Sequence, residues 1–223
     1  MSVNIEAYHN IKSKLDAANA ELVAVSKFKP AEDIQALYDQ GQRDFGENFV
    51  QELLLKAEIL PKDIRWHFIG HLQSNKVKYI APFVYMIHGV DSEKLLAEIN
   101  KQAGKIGRQI NCLLQVHIAN EETKFGFDSN QVAEIISKVD SGQFSQINIR
   151  GLMGMASFSE DKKLVSSEFA GLAGLYSILK ASHASMDKLS MGMSGDYPLA
   201  LEAGSNLVRI GSLLFGARTP GVK

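Results

Sequence analysis

Apolar residues in this chain fall into short runs, separated by stretches in which they recur every three or four positions. The runs read as strands at residues 22–26 (LVAVS), 43–46 (RDFG), 65–69 (RWHFI), 84–88 (VYMIH), 110–118 (INCLLQVHI), 147–152 (INIRGL), 188–191 (KLSM) and 206–210 (NLVRI). The periodic stretches read as helices. Their stripes are Ile34, Leu37 and Tyr38; Val50, Leu53, Leu54 and Ala57; Leu95, Leu96 and Ile99; Val132, Ile135, Ile136 and Val139; Val165, Phe169, Leu172, Tyr176 and Leu179. Another stripe, Ile5, Tyr8, Ile11 and Leu15, predicts an N-terminal helix packed on the body.

Alternation of strand and helix is the sequence form of repeated βα units on a parallel sheet. Eight strands with intervening helices point to an α/β fold, a single (β/α)8 TIM barrel. An open doubly wound sheet is the alternative. Proline is scarce, with 5 residues, and no Ser/Gly tract or charge block divides the units. Residues 1–223 are therefore expected to form one domain.

Composition narrows the function classes. The 223 residues are 45% hydrophobic and 22% charged, enough for a substantial core. Lys plus Arg number 24 against 25 for Asp plus Glu, so no global field favours nucleic acid or an anionic membrane. Any anion site must be local. Cys112 is the single cysteine and lies inside an apolar run, which excludes a disulfide framework and predicts a buried, inert thiol. No apolar run approaches the ~20 residues of a membrane span, and the N-terminus lacks a secretory pattern. A cytoplasmic location is the expectation.

The first strand ends unusually, in AVSKFKP. Val23, Val25 and Lys27 share one parity, and Leu22, Ala24 and Ser26 the other. If the valines face the interior, Lys27 does so at the C-terminal mouth, where active sites of this fold collect. Lys29 precedes Pro30 and is expected in the following loop, solvated. A lysine of ordinary pKa ~10.4 is brought near neutrality at a cost of about 4–5 kcal/mol, which partial burial can supply. Such an amine forms a Schiff base with an aldehyde. A lysine that merely snorkels its head to water is the structural alternative.

Two clusters near the C-terminus bear on that choice. LSMGMSGD, residues 189–196, follows the seventh strand, and Gly211 and Ser212 follow the eighth. Loops at those two positions of a barrel frequently bind phosphate. Backbone N–H groups freed by Gly192, Gly195 and Gly211, with the hydroxyls of Ser194 and Ser212, suit a phosphate dianion. Arg209 is the one charge in a buried strand and needs an acidic partner or a ligand atom. Strands 8 and 1 adjoin in a closed barrel, so a phosphorylated aldehyde spanning both mouths would be pyridoxal 5'-phosphate (PLP).

Other groups carry less. His67 and His71 are four apart across a strand end, which does not bring two imidazoles together, so no metal site is expected. In FGENFVQE, Glu47 reads as charge placed at a helix N-terminus, and Asn48, beside Lys27, as a residue that hydrogen-bonds a ligand. No Ser/His/Asp order rises above background.

AVSKFKP, FGENFVQE, WHFIGHLQSNK, GLMGMA and LSMGMSGDYPLALEAGSNLVRIGSLLFGAR, in that order, cover about residues 21–218. On these motifs the chain resembles the YggS/PROSC family of PLP-binding proteins, the pyridoxal phosphate homeostasis proteins. The resemblance implies a barrel similar to the N-terminal domain of alanine racemases. It further implies Lys27 as the Schiff-base lysine, Ser194, Gly211 and Ser212 at the phosphate, Arg209 near the ring, and Asn48 lining the pocket. His117, Asn120, Asn206 and Ser212 depart from the family's usual residues, and Ser212 keeps the hydroxyl.

Two functions compete once PLP is accepted. A fold-type III amino-acid racemase needs a second acid/base group across the cofactor, which the resembling racemases take from a further domain. The chain ends a few residues past the barrel, so the expectation is a protein that holds PLP for intracellular homeostasis without dedicated catalysis. PLP-dependent apo-enzymes would be its recipients, and a monomer is the expected state.

Overall fold

The computed structural model describes residues 3–119, 125–183 and 185–216. Its elements run α1 Ile5–Ala17, β1 Glu21–Val25, α2 Ala31–Asp39, β2 Asp44–Glu47, α3 Val50–Ile59, β3 Arg65–Phe68, then a 3₁₀ turn Ser74–Lys76 leading into α4 Val77–Ile80. They continue as β4 Met86–Val90, α5 Glu93–Lys105, β5 Ile110–Val116, α6 Ser129–Asp140, β6 Ile147–Gly154, α7 Lys162–Ser182, β7 Lys188–Ser190, α8 Tyr197–Glu202, β8 Leu207–Ile210 and α9 Ser212–Phe215.

The eight parallel strands close into a barrel in chain order. Closure comes from β1 against β8, with Glu21 opposite Leu207 and Ala24 opposite Ile210. All eight expected strands are present, and the open doubly wound alternative is excluded by this pairing. Two apolar layers follow from strand alternation. Val23, Met86, Leu113, Met153 and Leu207 fill the interior. Leu22, Ala24, Phe45, Trp66, Phe68, Leu189 and their neighbours pack against the helices. Cys112 belongs to this outer layer, fully buried, and burial pushes its thiol pKa up.

The lower, N-terminal rim is closed by polar pairs at the strand starts. Lys188 Nζ lies 2.7 Å from Glu21, Arg150 Nε 2.6 Å from Asp187, and Asn148 donates to Asn111 at 2.9 Å. Arg65 forms a two-pronged pair with Asp44. Asn4 caps α1 by accepting the Ala7 N–H, and Tyr8, Ile11 and Leu15 of α1 are buried, as its stripe predicts.

The strand read at 84–88 lies instead at Met86–Val90. Gly89 lies inside the shifted run, where a Cβ would meet the Gly70 carbonyl oxygen at 2.8 Å. The short helices α4, α8 and α9 were not anticipated as elements; each spans at most 6 residues, too few to show a period.

Candidate functional site

Lys27 sits two residues beyond the end of β1, half-buried. Val23 faces the interior as parity requires, but the strand stops at Val25, so alternation alone does not direct Lys27. Its two neighbours are fixed from α3. Lys56 Nζ donates to the Ser26 carbonyl at 2.7 Å. On the other side, the Phe28 N–H donates to Glu52 Oε1 at 2.6 Å. Phe28 has φ +60°, a left-handed conformation that costs a non-glycine residue about 1–2 kcal/mol. Held peptide groups on both flanks thus define the backbone that presents the Lys27 amine.

Glu47 completes this platform and is not charge placed at a helix end. Its side chain is fully buried; Oε1 accepts from the Ser26 hydroxyl at 2.6 Å and from Lys56 Nζ at 2.7 Å. Oε2 is buried with no hydrogen-bond partner among the described residues. Burial pushes the Glu47 pKa up to about 7, against the opposing pull of Lys56 and Ser26. Lys29 also departs from expectation. It lies in the loop, but its ammonium is not left to water: it donates to the Phe215 carbonyl at 2.6 Å and ties the lysine loop to the end of α9.

The barrel closure sets this loop beside the glycine-serine turns. Gly211 abuts β1 so closely that a Cβ would lie 3.2 Å from the Val25 carbonyl oxygen. Its N–H donates to Ser194 Oγ at 3.3 Å, which leaves the serine hydroxyl free to donate outward. Gly211 caps α9, whose first residues Ser212 and Leu213 are exposed and, as first-turn positions, have no intrahelical acceptor for their N–H groups. Gly192 has φ +95°, and a Cβ there would meet the Ala200 methyl at 2.6 Å, so the turn after β7 requires glycine.

Arg209 points inward, sharing parity with the interior Leu207. It is buried, and no carboxylate lies within 4 Å of it among the described residues. Nη1 donates to the Ser190 carbonyl at 3.0 Å and hydroxyl at 2.6 Å, and Nη2 to the Gly154 carbonyl at 3.1 Å. The acidic partner expected for it is thus replaced by carbonyls and a hydroxyl. Burial lowers its pKa to about 10, with the more distant Asp196 opposing. Its Nε–H and one Nη2–H have no partner among the described residues, and they are donors for a ligand atom.

Asn48 stands at the end of β2, one strand from Lys27. Its Oδ1 is buried without a partner among the described residues, and the residue borders a cleft of about 320 Å³ shared with His71, Gln73 and Lys76. His67 and His71 do not meet: His67 bonds to His88 and Asp44, and His71 to Asp91 at 3.1 Å. No cluster of metal-ligating side chains occurs among the described residues. Asn120, and Arg218 of the last motif, lie outside the described residues.

Sequence reading missed Glu52, Lys56, His88 and Ser190. A signal existed for Lys56, which falls three residues after the buried Leu53, on the apolar face of its helix. His88 likewise alternates with the core residue Ile87 inside a strand.

Comparison with known proteins places this architecture. The chain matches the profile of the alanine racemase N-terminal domain over residues 5–219. The pyridoxal phosphate homeostasis protein of Schizosaccharomyces pombe is 39% identical over 211 residues, covering 93% of this chain and 88% of its own. PipY of Synechococcus elongatus, solved without PLP, superposes with a TM-score of 0.85 at 36% identity, covering 95% of this chain and 99% of its own. The PLP-bound PipY structure gives 0.82 at 35% identity, again covering 95% of this chain and 99% of its own. Alanine racemase of Clostridium difficile shares the fold alone, at 14% identity and a TM-score of 0.75, over 98% of this chain and 58% of its own. The class defined by fold and site is thus the alanine racemase N-terminal barrel. Within it, the chain belongs to the family of pyridoxal phosphate homeostasis proteins.

Proposed function

We propose that this protein binds PLP as a Schiff base on Lys27 and takes part in PLP homeostasis, holding and releasing the cofactor without dedicated catalysis. The observation that carries the reading is the β1–β8 closure, which sets the clamped Lys27 backbone beside the donors of Ser194, Gly211 and Ser212. PLP supplies an aldehyde, which condenses with an amine with loss of water, and a phosphate dianion.

The residues present fit such a group. Ser194 and Ser212 hydroxyls and the first-turn N–H groups of α9 would hold the phosphate. The two uncommitted Arg209 N–H groups would face a ring acceptor, and the orphaned Asn48 oxygen would accept from a donor brought against it. An apolar ligand would leave all of these unsatisfied.

The naming of relatives as homeostasis proteins supports a carrier over a fold-type III racemase. Residues 1–223 would act as one domain, monomeric and cytoplasmic, with PLP-dependent apo-enzymes as recipients. The test is incubation of the PLP-loaded protein with L-alanine and other L-amino acids in deuterated water. No Cα exchange beyond the buffer rate is expected; turnover with exchange would overturn the carrier reading.

A further inference from the structure

Arg209 raises a problem that the ligand alone does not solve. A guanidinium inside the barrel has no carboxylate beside it among the described residues, yet a buried unpaired charge is costly. The interior side chains below it answer this. Arg209 Nη1 meets Ser190 Oγ at 2.6 Å, Ser190 Oγ meets His88 Nδ1 at 3.3 Å, His88 Nε2 meets His67 Nδ1 at 2.8 Å, and His67 Nε2 meets Asp44 Oδ1 at 3.0 Å. Ser190 and His88 are fully buried and His67 nearly so. The row starts under the mouth and ends at Asp44, whose other partner Arg65 is exposed at the lower rim.

Protons can be assigned along the row from donor chemistry. Asp44 is ionised, held down at about pKa 2: burial would raise it, and hydrogen bonds from Arg65 and His67 outweigh that. A carboxylate only accepts, so His67 carries hydrogen on Nε2. Arg65 already balances Asp44 and Arg209 already adds a cation to the interior, so a third cation in the row has no counter-charge, and His67 is neutral. Its Nδ1 then accepts from His88 Nε2–H, and His88 Nδ1 accepts from the Ser190 hydroxyl. Ser190 Oγ is left to accept from Arg209, which can only donate. Burial, with the Arg209 guanidinium adding to it, keeps His88 well below its ordinary pKa, consistent with a neutral ring.

We propose that Ser190, His88 and His67 are positioning residues for Arg209, forming a one-way chain of hydrogen bonds that joins its guanidinium to the Asp44 carboxylate through the barrel interior. The order Ser190, His88, Asp44 superficially suggests a nucleophile, but the serine is sealed from solvent and its oxygen is occupied by Arg209. The chain does a different job. It fixes the guanidinium's plane and leaves its unused N–H groups directed at whatever acceptor occupies the mouth. The inference rests on the PLP reading only for the identity of that acceptor.

The test has one arm without cofactor and one with it. Protein labelled with ¹⁵N at histidine, free of PLP at pH 7, is expected to show His67 and His88 both neutral and both protonated on Nε2. An Nδ1–H tautomer or an imidazolium at either residue overturns the proposal. In the second arm, His88→Leu is expected to weaken PLP binding about tenfold and shift the absorption maximum of the bound cofactor. His88→Gln, whose amide can accept from Ser190 and donate to His67, is expected to restore both. A folded His88→Leu protein with wild-type affinity and spectrum contradicts the proposal, as does a folded His88→Gln protein no better than Leu. If the wild type binds no PLP, the functional reading falls while the tautomers still decide the chain.

Discussion

Glu52 accepts the backbone N–H of Phe28 at 2.6 Å, one residue past Lys27, and Lys56 on the same helix holds the carbonyl of Ser26, one residue before it. The two α3 side chains bond to each other as well, at 2.7 Å. A reactive lysine on a loop loses rate when its backbone wanders, since attack needs the amine placed within a few tenths of an ångström. The clamp converts a loop position into a rigid one.

Glu52→Ala is therefore expected to destabilise the fold by about 2 kcal/mol, from the lost charge-assisted bond to Phe28. It also releases the left-handed strain at Phe28, so the loop relaxes. Stopped-flow absorbance should show slower condensation with PLP, and urea titration the stability loss. Unchanged condensation kinetics would show that the clamp does not serve Lys27.

Lys56→Met leaves the buried Glu47 without its cation and the Ser26 carbonyl without its donor. The expected cost is about 3–5 kcal/mol at pH 8. At pH 5 the loss should be smaller, because Glu47 can then take a proton instead of standing as a bare charge. Denaturant midpoints at the two pH values check this.

Glu47 itself makes stability depend on pH. Its folded pKa is raised from 4.5 to about 7, so the folded state binds the proton more tightly than the unfolded one. That contribution is fully present below about pH 4.5 and is lost as pH rises through 7. Glu47→Gln removes the dependence. Relative to the variant, wild type should lose on the order of 2–3 kcal/mol between pH 5 and pH 8. Parallel stability curves for the two proteins would refute the assignment.

Gly192→Ala tests the turn after β7. The added methyl would strike Ala200 at a backbone conformation, φ +95°, that side chains rarely adopt. A cost of about 1–2 kcal/mol in stability is expected. PLP affinity should fall about tenfold, since displacing the turn moves Ser194 from Gly211. Isothermal titration with PLP measures the second effect separately from the first.

Much of this molecule was legible before any coordinates. The eight apolar runs and the stripes between them carry the barrel because burial imposes periods of two and of about 3.6 residues. The neighbouring positions of Lys27 and Gly211 followed from closure alone. What stayed hidden depends on contacts between residues far apart in sequence. Lys29 meets Phe215, 186 residues away, and Ser190 meets His88, 102 away. No local pattern encodes such pairs. Arg209 shows the limit well: its place in a buried strand was readable, but the hydrogen-bonded row that ties it to Asp44, four side chains away, was not.

The central claim is that Lys27, rather than Lys29 or another amine, forms the bond to PLP. Borohydride reduction of the PLP-loaded protein fixes the adduct, and peptide mass mapping then locates it. A single phosphopyridoxyl group on Lys27, absent together with the visible absorption band in Lys27→Ala, is the predicted result. An adduct on Lys29 or scattered over surface lysines, or a Lys27→Ala protein that keeps the band, would contradict it.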